Sequence, residues 1–168
     1  GPAYVAHLPE IAEVTDRVLE QANIPKETER LLLHTKNSKL WATNVNEFRK
    51  DFVALTADAA RWIVKRGIRL IGVDYLSVQR FTDSMLTHEI LLEANVVIVE
   101  GLNMTDVEPG TYELICLPLR LVGSEGAPAR AVLRRIPQHQ ATKCNRASSH
   151  SSPRVITASA FRGRTTVR

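Results

Sequence analysis

His88 and Glu100 are the two side chains of this 168-residue sequence whose types and spacing most suggest chemistry. They lie twelve positions apart in the stretch TDSMLTHEILLEANVVIVEGL, residues 82–102. An imidazole and a carboxylate together suit zinc or manganese. A catalytic zinc has about three protein ligands and an open position, so the pair is an incomplete ligand set. Taken singly, a helical histidine and a glutamate that ends a strand are more often solvated surface residues.

The elements around this pair predict that the two side chains meet. Residues 83–94 have the pattern of a helix, and residues 96–100 have that of a buried strand. From His88 to the end of the helix at Ala94 the chain travels about 9 Å along the helix axis, at 1.5 Å per residue. The strand over residues 96–100 then runs about 13 Å in the opposite direction, at 3.3 Å per residue. His88 and Glu100 are therefore expected at one edge of the sheet, where Gly101 lets the backbone turn away.

Strands and helices alternate through the rest of the sequence. The patterns predict strands over residues 3–8, 30–35 and 68–78, helices over residues 9–25 and 55–67, and a long strand over residues 111–121 that Pro118 breaks. Thr56 is the expected N-cap of the second helix, and Gly67 marks its end. Alternating strands and helices with continuous apolar runs are typical of an α/β domain whose sheet is covered on at least one face.

Composition narrows the class of protein. Hydrophobic residues make up 44% of the chain, and no apolar run approaches the roughly 20 residues of a membrane helix. We therefore expect a protein that does not span a membrane. The opening GPAYVAHLPE lacks the features of an export signal, and Cys116 and Cys144 form no paired framework. A reducing, cytoplasmic setting fits these features.

The sequence changes character near Arg135. Residues 136–168 contain six Lys/Arg and no Asp or Glu, with a bias towards Ser, Pro, Gln and His. Such a segment buries too little apolar surface to offset its ordering entropy. We therefore expect a folded domain over residues 1–135 and a disordered basic tail over residues 136–168. The tail lacks aromatic residues interleaved with its charges and lacks a nucleic-acid-binding motif, so nucleic acid is not the expected partner.

No nucleophile-based catalytic site is predicted. GVDYLSV lacks the Gly-x-Ser-x-Gly elbow, so Ser77 is expected to be a turn residue, and no catalytic residue is assigned. The glycines around residues 123–126, together with Arg130, could line an anion pocket or simply form a hairpin turn. Trp41 could contact a substrate or a second subunit. Substrate-binding residues are therefore unknown at this stage.

Five stretches, in order along the chain, resemble one known family. They are IPKETERLLLHTKNS, the strand ending GVDYLS, His88 followed by a Leu-Leu pair, Glu-Gly-Leu after a Val/Ile strand, and Leu-Pro-Leu followed by Gly-x-x-Gly-x-Pro-x-Arg. The match covers nearly all of residues 1–135 and resembles the cyclase family of metal-dependent hydrolases. That family includes bacterial kynurenine formamidases (arylformamidases) and isatin hydrolases.

The resemblance implies a swivelling β/β/α cyclase-like fold, usually oligomeric, with a divalent metal site. The family's late-sequence ligands are a His and a Glu twelve positions apart, which correspond here to His88 and Glu100. The implied cofactor is zinc or manganese. The implied activity is hydrolysis of an amide, cyclic amide or lactone in a small-molecule substrate, most commonly N-formylkynurenine, which gives kynurenine and formate in tryptophan catabolism.

One departure from the family pattern is important. Family members carry an early His-x-Gly-Thr-His-x-Asp-x-Pro-x-His motif that supplies the other metal ligands, and this sequence does not contain it. We therefore expect an N-terminally incomplete family domain, an incomplete metal site and impaired hydrolysis. His7 and His34 lack the required partners and are not expected to bind metal. The alternative hypothesis is a catalytically inactive relative that serves as a binding or assembly subunit.

Overall fold

A computed structural model describes residues 1–42, 48–136 and 154–161. Its strands are β1 (Pro2–Leu8), β2 (Arg30–Thr35), β3 (Leu70–Val73), β4 (Val97–Glu100), β5 (Gly110–Pro118), β6 (Gly126–Arg135) and β7 (Arg154–Phe161). Its helices are α1 (Asp16–Gln21), α2 (Ala57–Lys65) and α3 (Leu86–Glu93), with a 3₁₀ helix at Lys36–Ala42. The strands form a closed barrel in the order β1-β2-β3-β4-β7-β6-β5.

The first four strands form the parallel part of the barrel. β1 pairs with β2, β2 with β3 and β3 with β4, all parallel, whereas β5, β6 and β7 complete the barrel through antiparallel pairs. All four parallel strands therefore direct their carboxyl ends to one edge. Glu100 is the last residue of β4 and lies at this edge.

The helices cover the outer face of the parallel strands, and this packing explains the continuous apolar runs. In β2, Leu31 and Leu33 belong to the core between the strands and helices, whereas Leu32 belongs to a second core inside the barrel. A strand that is buried on both faces favours apolar residues at consecutive positions, such as Leu31 to Leu33 of β2. The α/β class predicted from the sequence is confirmed.

Several predicted elements have the expected positions. β1, β2, β4 and α2 agree with their predicted bounds to within about two residues, which is the usual uncertainty at element ends. Thr56 is the N-cap of α2, since its hydroxyl accepts a hydrogen bond from the Ala59 amide at 3.5 Å. Gly67 follows the helix with a φ of +74°, a conformation that glycine adopts without strain.

The helix predicted over residues 9–25 is wrong in its first half. α1 begins at Asp16 after the N-cap Thr15. Val14 instead forms a β-bridge with Leu55, and its amide donates to the Ala54 carbonyl at 2.9 Å. The apolar spacing at Val14 therefore reflects a tertiary contact. The strand predicted over 68–78 is likewise shorter, ending at Val73.

The C-terminal strands also differ from expectation. β5 ends at Pro118 as predicted, and β6 forms an antiparallel hairpin with it, so the turn interpretation of residues 123–126 is confirmed. The disordered tail expected from residue 136 does not extend across β7, which pairs with β4 and β6. Composition did not reveal this strand, since its partners lie far away in the sequence. The rest of the predicted tail, residues 137–153 with Cys144 and residues 162–168, lies outside the described residues.

Gly72 allows β3 to pack closely inside the barrel. A methyl group at this position would lie 2.4 Å from Leu32 Cδ2 and 2.7 Å from Leu102 Cδ1, and both leucines are fully buried. We expect Gly72→Ala to destabilise the fold by about 1–3 kcal/mol through overpacking, as measured by urea unfolding. The penalty should be smaller in a Leu32→Val background, which removes the closer clash. Equal penalties in both backgrounds would contradict this account of the packing.

Candidate metal centre

His88 and Glu100 approach each other at the carboxyl edge of the sheet. His88 lies in the first turn of α3, and its Nε2 is 3.4 Å from Oε1 of Glu100. The Glu100 side chain is 8% exposed and that of His88 is 21% exposed, so the pair is mostly buried but accessible on the histidine side. The juxtaposition predicted from helix and strand lengths is therefore present.

Backbone groups fix the Glu100 carboxylate in place. The amide of Val78 donates a 2.6 Å hydrogen bond to Oε1, which is short for this type of bond and directs the oxygen towards His88. Gly101 then turns the chain with a φ of +74°, and its amide donates to the Tyr75 carbonyl at 2.7 Å. Glu100 is therefore held by the loop that follows β3.

The same loop holds the His88 ring. Gln79 is buried, and its side-chain Oε1 lies 3.2 Å from Nδ1 of His88 and 3.4 Å from the His88 amide nitrogen. The ring is thus fixed through Nδ1, and Nε2 faces Glu100. Gln79 was not identified from the sequence, because a glutamine in a loop has no characteristic spacing.

Asp74 forms a second polar centre at the same edge. Its fully buried carboxylate accepts hydrogen bonds from the Thr35 amide at 2.7 Å and hydroxyl at 2.9 Å. It also accepts from the Ser38 amide at 3.0 Å and hydroxyl at 2.8 Å, and from Asn37 Nδ2 at 3.4 Å. Asp74 therefore joins the end of β3 to the start of the 3₁₀ helix. An acidic residue directly after a buried strand was the available sequence signal.

His7 and His34 form a separate pair. They are register partners at the ends of β1 and β2, with ring centroids 4.6 Å apart. Side chains alternate between the faces of a strand, so His34 lies on the barrel-interior face with Leu32. By the same alternation Glu100 lies on the helix-covered face of β4. The two histidines therefore do not join the His88–Glu100 pair.

His34 makes the stability of the fold sensitive to pH. Burial lowers its pKa below 6.5, and the neighbouring His7 lowers it further, against smaller opposing effects of the Val107 carbonyl, Asp74 and Glu108. The unfolded chain therefore binds the His34 proton at a higher pH than the folded protein does. The contribution of His34 to the free energy of unfolding is therefore complete above about pH 6.5. It decreases as the pH falls through that value towards the lower pKa that His34 has in the folded protein.

We therefore expect the urea midpoint to decrease between about pH 7.5 and 5.5, and to decrease less in His34→Gln. Glutamine keeps a donor for the Val107 carbonyl but does not titrate. The difference between the two slopes isolates His34 from the carboxylates, which titrate in both proteins. Parallel slopes would show that His34 does not contribute.

The other residues singled out from the sequence have structural contacts. The indole of Trp41 donates to the Asp74 carbonyl at 3.0 Å. Cys116 is half-buried, and burial raises the pKa of its thiol, so it is a poor nucleophile.

Among residues 1–42, 48–136 and 154–161, no three His, Cys, Asp or Glu side chains are grouped as a metal site. None of the helices in these ranges has the length and apolar character needed to cross a membrane.

Comparison with known proteins identifies the family. The Cyclase family model matches residues 3–80. Cyclase-like protein 2 of Oryza sativa subsp. japonica is 43% identical over 135 residues, which cover 79% of this chain and 50% of that protein. The chain belongs to the cyclase family. Kynurenine formamidase of Bacillus cereus (strain ATCC 10987 / NRS 248) is 38% identical over 137 residues, which cover 81% of this cyclase-family chain and 63% of that protein.

A solved structure supports the same assignment at the level of the fold. It is described as a potential metal-dependent hydrolase with cyclase activity, and it matches with a TM-score of 0.72 and 34% sequence identity. The match covers 82% of this chain and 66% of that one. The cyclase-like α/β fold predicted from the sequence is therefore confirmed. The chain spans about half the length of the cyclase-like relative from rice.

Proposed function

We propose that His88 and Glu100 are two ligands of a divalent metal ion in a hydrolase that cleaves an aryl formamide, with N-formylkynurenine as the substrate and kynurenine and formate as products. The main support for this proposal is the 3.4 Å distance between His88 Nε2 and Glu100 Oε1. The kynurenine formamidase relative supports the choice of substrate. Cyclic amides and lactones are the alternative substrates.

The donor atoms fit a divalent cation. Two ligands at about 2.0–2.1 Å from a tetrahedral ion are about 3.3 Å apart, close to the observed 3.4 Å. The histidine binds Gln79 through Nδ1, as metal-bound histidines commonly bind a neighbouring acceptor through the second ring nitrogen. Imidazole with carboxylate suits zinc or manganese. At least one further ligand, from residues other than those described, is part of the proposal.

The chemistry follows from this arrangement. When bound, the divalent ion polarises the amide carbonyl and lowers the pKa of a water molecule towards 7. His88 and Glu100 hold their donor atoms in position without reorganisation, because Gln79 and the Val78 amide fix them. Bulk water reaches the pair mainly from the His88 side, since the Glu100 side chain is only 8% exposed.

A cluster of aromatic side chains supports an aromatic substrate. Phe48 and Phe81 are about half exposed and have ring centroids 5.5 Å apart, and the Lys50 amine lies 4.9 Å from the Phe81 centroid. Phe81 follows Gln79, which binds His88, by two residues. Exposed rings accept an aromatic ring by stacking. The nearby ammonium group suits the carboxylate of an amino-acid substrate.

Self-association is proposed on the basis of the β5–β6 hairpin. Its exposed apolar side chains are Leu117, Leu119, Leu121 and Val122. Exposed large apolar side chains grouped on one hairpin are typical of an association site. Light scattering of the purified chain should give a mass above that of the 18.7 kDa monomer, and Leu119→Ser with Leu121→Ser should reduce it.

Formate release from N-formylkynurenine tests the function. The assay uses this chain and a version carrying an upstream His-x-Gly-Thr-His-x-Asp segment, the source of further ligands implied by the family resemblance. We expect turnover in the longer protein, loss on treatment with a chelator, and recovery with zinc or manganese. Full turnover by the 168-residue chain alone would refute the need for those ligands. Stoichiometric metal without turnover in both proteins would instead favour the binding-subunit hypothesis.

A further inference from the structure

The orientation of the Gln79 carboxamide is determined by two backbone groups. Its Oε1 accepts from the His88 amide at 3.4 Å, and its Nε2 donates to the Asp83 carbonyl at 3.4 Å. A backbone N–H only donates and a backbone carbonyl only accepts. Flipping the carboxamide would bring donor against donor and acceptor against acceptor in a buried position, since Gln79 is only 6% exposed.

This orientation determines which nitrogen of His88 carries a proton. Oε1 of Gln79 lies 3.2 Å from Nδ1, and an amide oxygen only accepts, so Nδ1 is the donor. A neutral imidazole has one N–H, which leaves a lone pair on Nε2. Nε2 is the atom that faces Glu100.

We propose that Gln79 is a positioning residue that sets the tautomer of His88, keeping the proton on Nδ1 and presenting the Nε2 lone pair towards Glu100. The consequence for metal binding rests on the proposed function, whereas the tautomer itself rests on the hydrogen bonds alone. Glu100 is the competing acceptor, since its carboxylate attracts a proton on Nε2. Two observations favour Gln79.

First, Glu100 Oε1 already accepts the 2.6 Å hydrogen bond from Val78. Second, the Nδ1 atom of His88 lies closer to Gln79 Oε1, at 3.2 Å, than the Nε2 atom lies to Glu100 Oε1, at 3.4 Å. The shorter of the two contacts is therefore the one to Gln79. In the metal-free protein the His88 proton therefore belongs to the Gln79 side of the ring.

Two matched variants separate this role from a structural one. Gln79→Met removes the acceptor for Nδ1, whereas Gln79→Glu keeps an acceptor oxygen. Both variants lose the donor that binds the Asp83 carbonyl, so a general loosening of the loop affects both. The ¹⁵N spectrum of the imidazoles distinguishes the tautomers in metal-free protein, in alkaline buffer where histidine is neutral.

We expect wild type and Gln79→Glu to carry the His88 proton on Nδ1, and Gln79→Met to carry it on Nε2. A proton on Nε2 in wild type, or an unchanged tautomer in Gln79→Met, would overturn the proposal. Zinc binding by the longer protein that carries the upstream segment is the second readout, with an affinity about 10–100-fold weaker in Gln79→Met than without this substitution. If His88 has the Nδ1 tautomer but the longer protein binds no zinc, the proposed function fails and the role of Gln79 stands.

Discussion

Hydrolysis of N-formylkynurenine by the longer, metal-loaded protein that carries the upstream His-x-Gly-Thr-His-x-Asp segment is expected to fall by more than about 100-fold when His88 is replaced by alanine. Removing a residue that orients a ligand typically costs 10–100-fold, and removing the ligand itself should cost more. Zinc affinity should fall with it, as measured by competition with a chromophoric chelator. His88 is a better target than Glu100, because the Glu100 carboxylate also accepts the Val78 amide and its loss would disturb the loop.

His7→Ala is the matched control for this prediction. It removes an imidazole from the same edge of the sheet, but from the pair with His34 on the opposite face. Activity and zinc affinity should remain within about twofold of wild type, since surface substitutions rarely perturb distant sites. Equal losses in both variants would indicate a general effect on folding, and an active His88→Ala protein would refute the assignment of His88 as a ligand.

The largest loss of stability is expected at Asp74. Asp74→Ala leaves the buried amides of Thr35 and Ser38 and both of their hydroxyl groups without an acceptor. Each buried donor left unsatisfied costs about 1–3 kcal/mol. A water molecule in the vacated space can recover part of this, so we expect a decrease of about 3 kcal/mol or more in the free energy of unfolding, measured by urea denaturation.

Asp51→Ala provides the comparison for this prediction. Asp51 is exposed and forms an ion pair with Arg49, an arrangement that contributes little to stability. The urea midpoint of this variant should match that of wild type, whereas that of Asp74→Ala should be far lower. A decrease below about 1 kcal/mol for Asp74→Ala would mean that the strand and the 3₁₀ helix do not depend on this carboxylate.

The approach of His88 to Glu100 was predictable because it depends on local rules. Helix and strand rises fix how far the chain travels over residues 88–100, and a glycine follows directly. The α/β class was predictable for the same reason, since strands buried on both faces require continuous apolar runs such as that of β2. In both cases the apolar pattern of each segment matches the helix or strand that the segment forms.

Features that depend on distant partners were not predictable. Val14 is spaced from the following apolar residues as in a helix, but it forms a β-bridge with Leu55. The bridge buries Val14 in the same core as the helix residue Leu19, so the spacing alone does not reveal it. β7 is stabilised by β4 and β6 on its two sides, and its sequence alone resembles a polar tail. Gln79 gains its role from backbone groups whose orientation only the folded loop defines.

The most direct measurement is an anomalous diffraction map from zinc-soaked crystals of the longer protein that carries the upstream His-x-Gly-Thr-His-x-Asp segment. We expect a peak between His88 and Glu100, about 2.0–2.2 Å from Nε2 of the histidine and from a carboxylate oxygen of the glutamate. The peak should be absent in His88→Ala crystals grown and soaked in the same way. A peak at the His7–His34 pair instead, or a His88–Glu100 pair without zinc at saturating concentration, would contradict the assignment of these two residues as metal ligands.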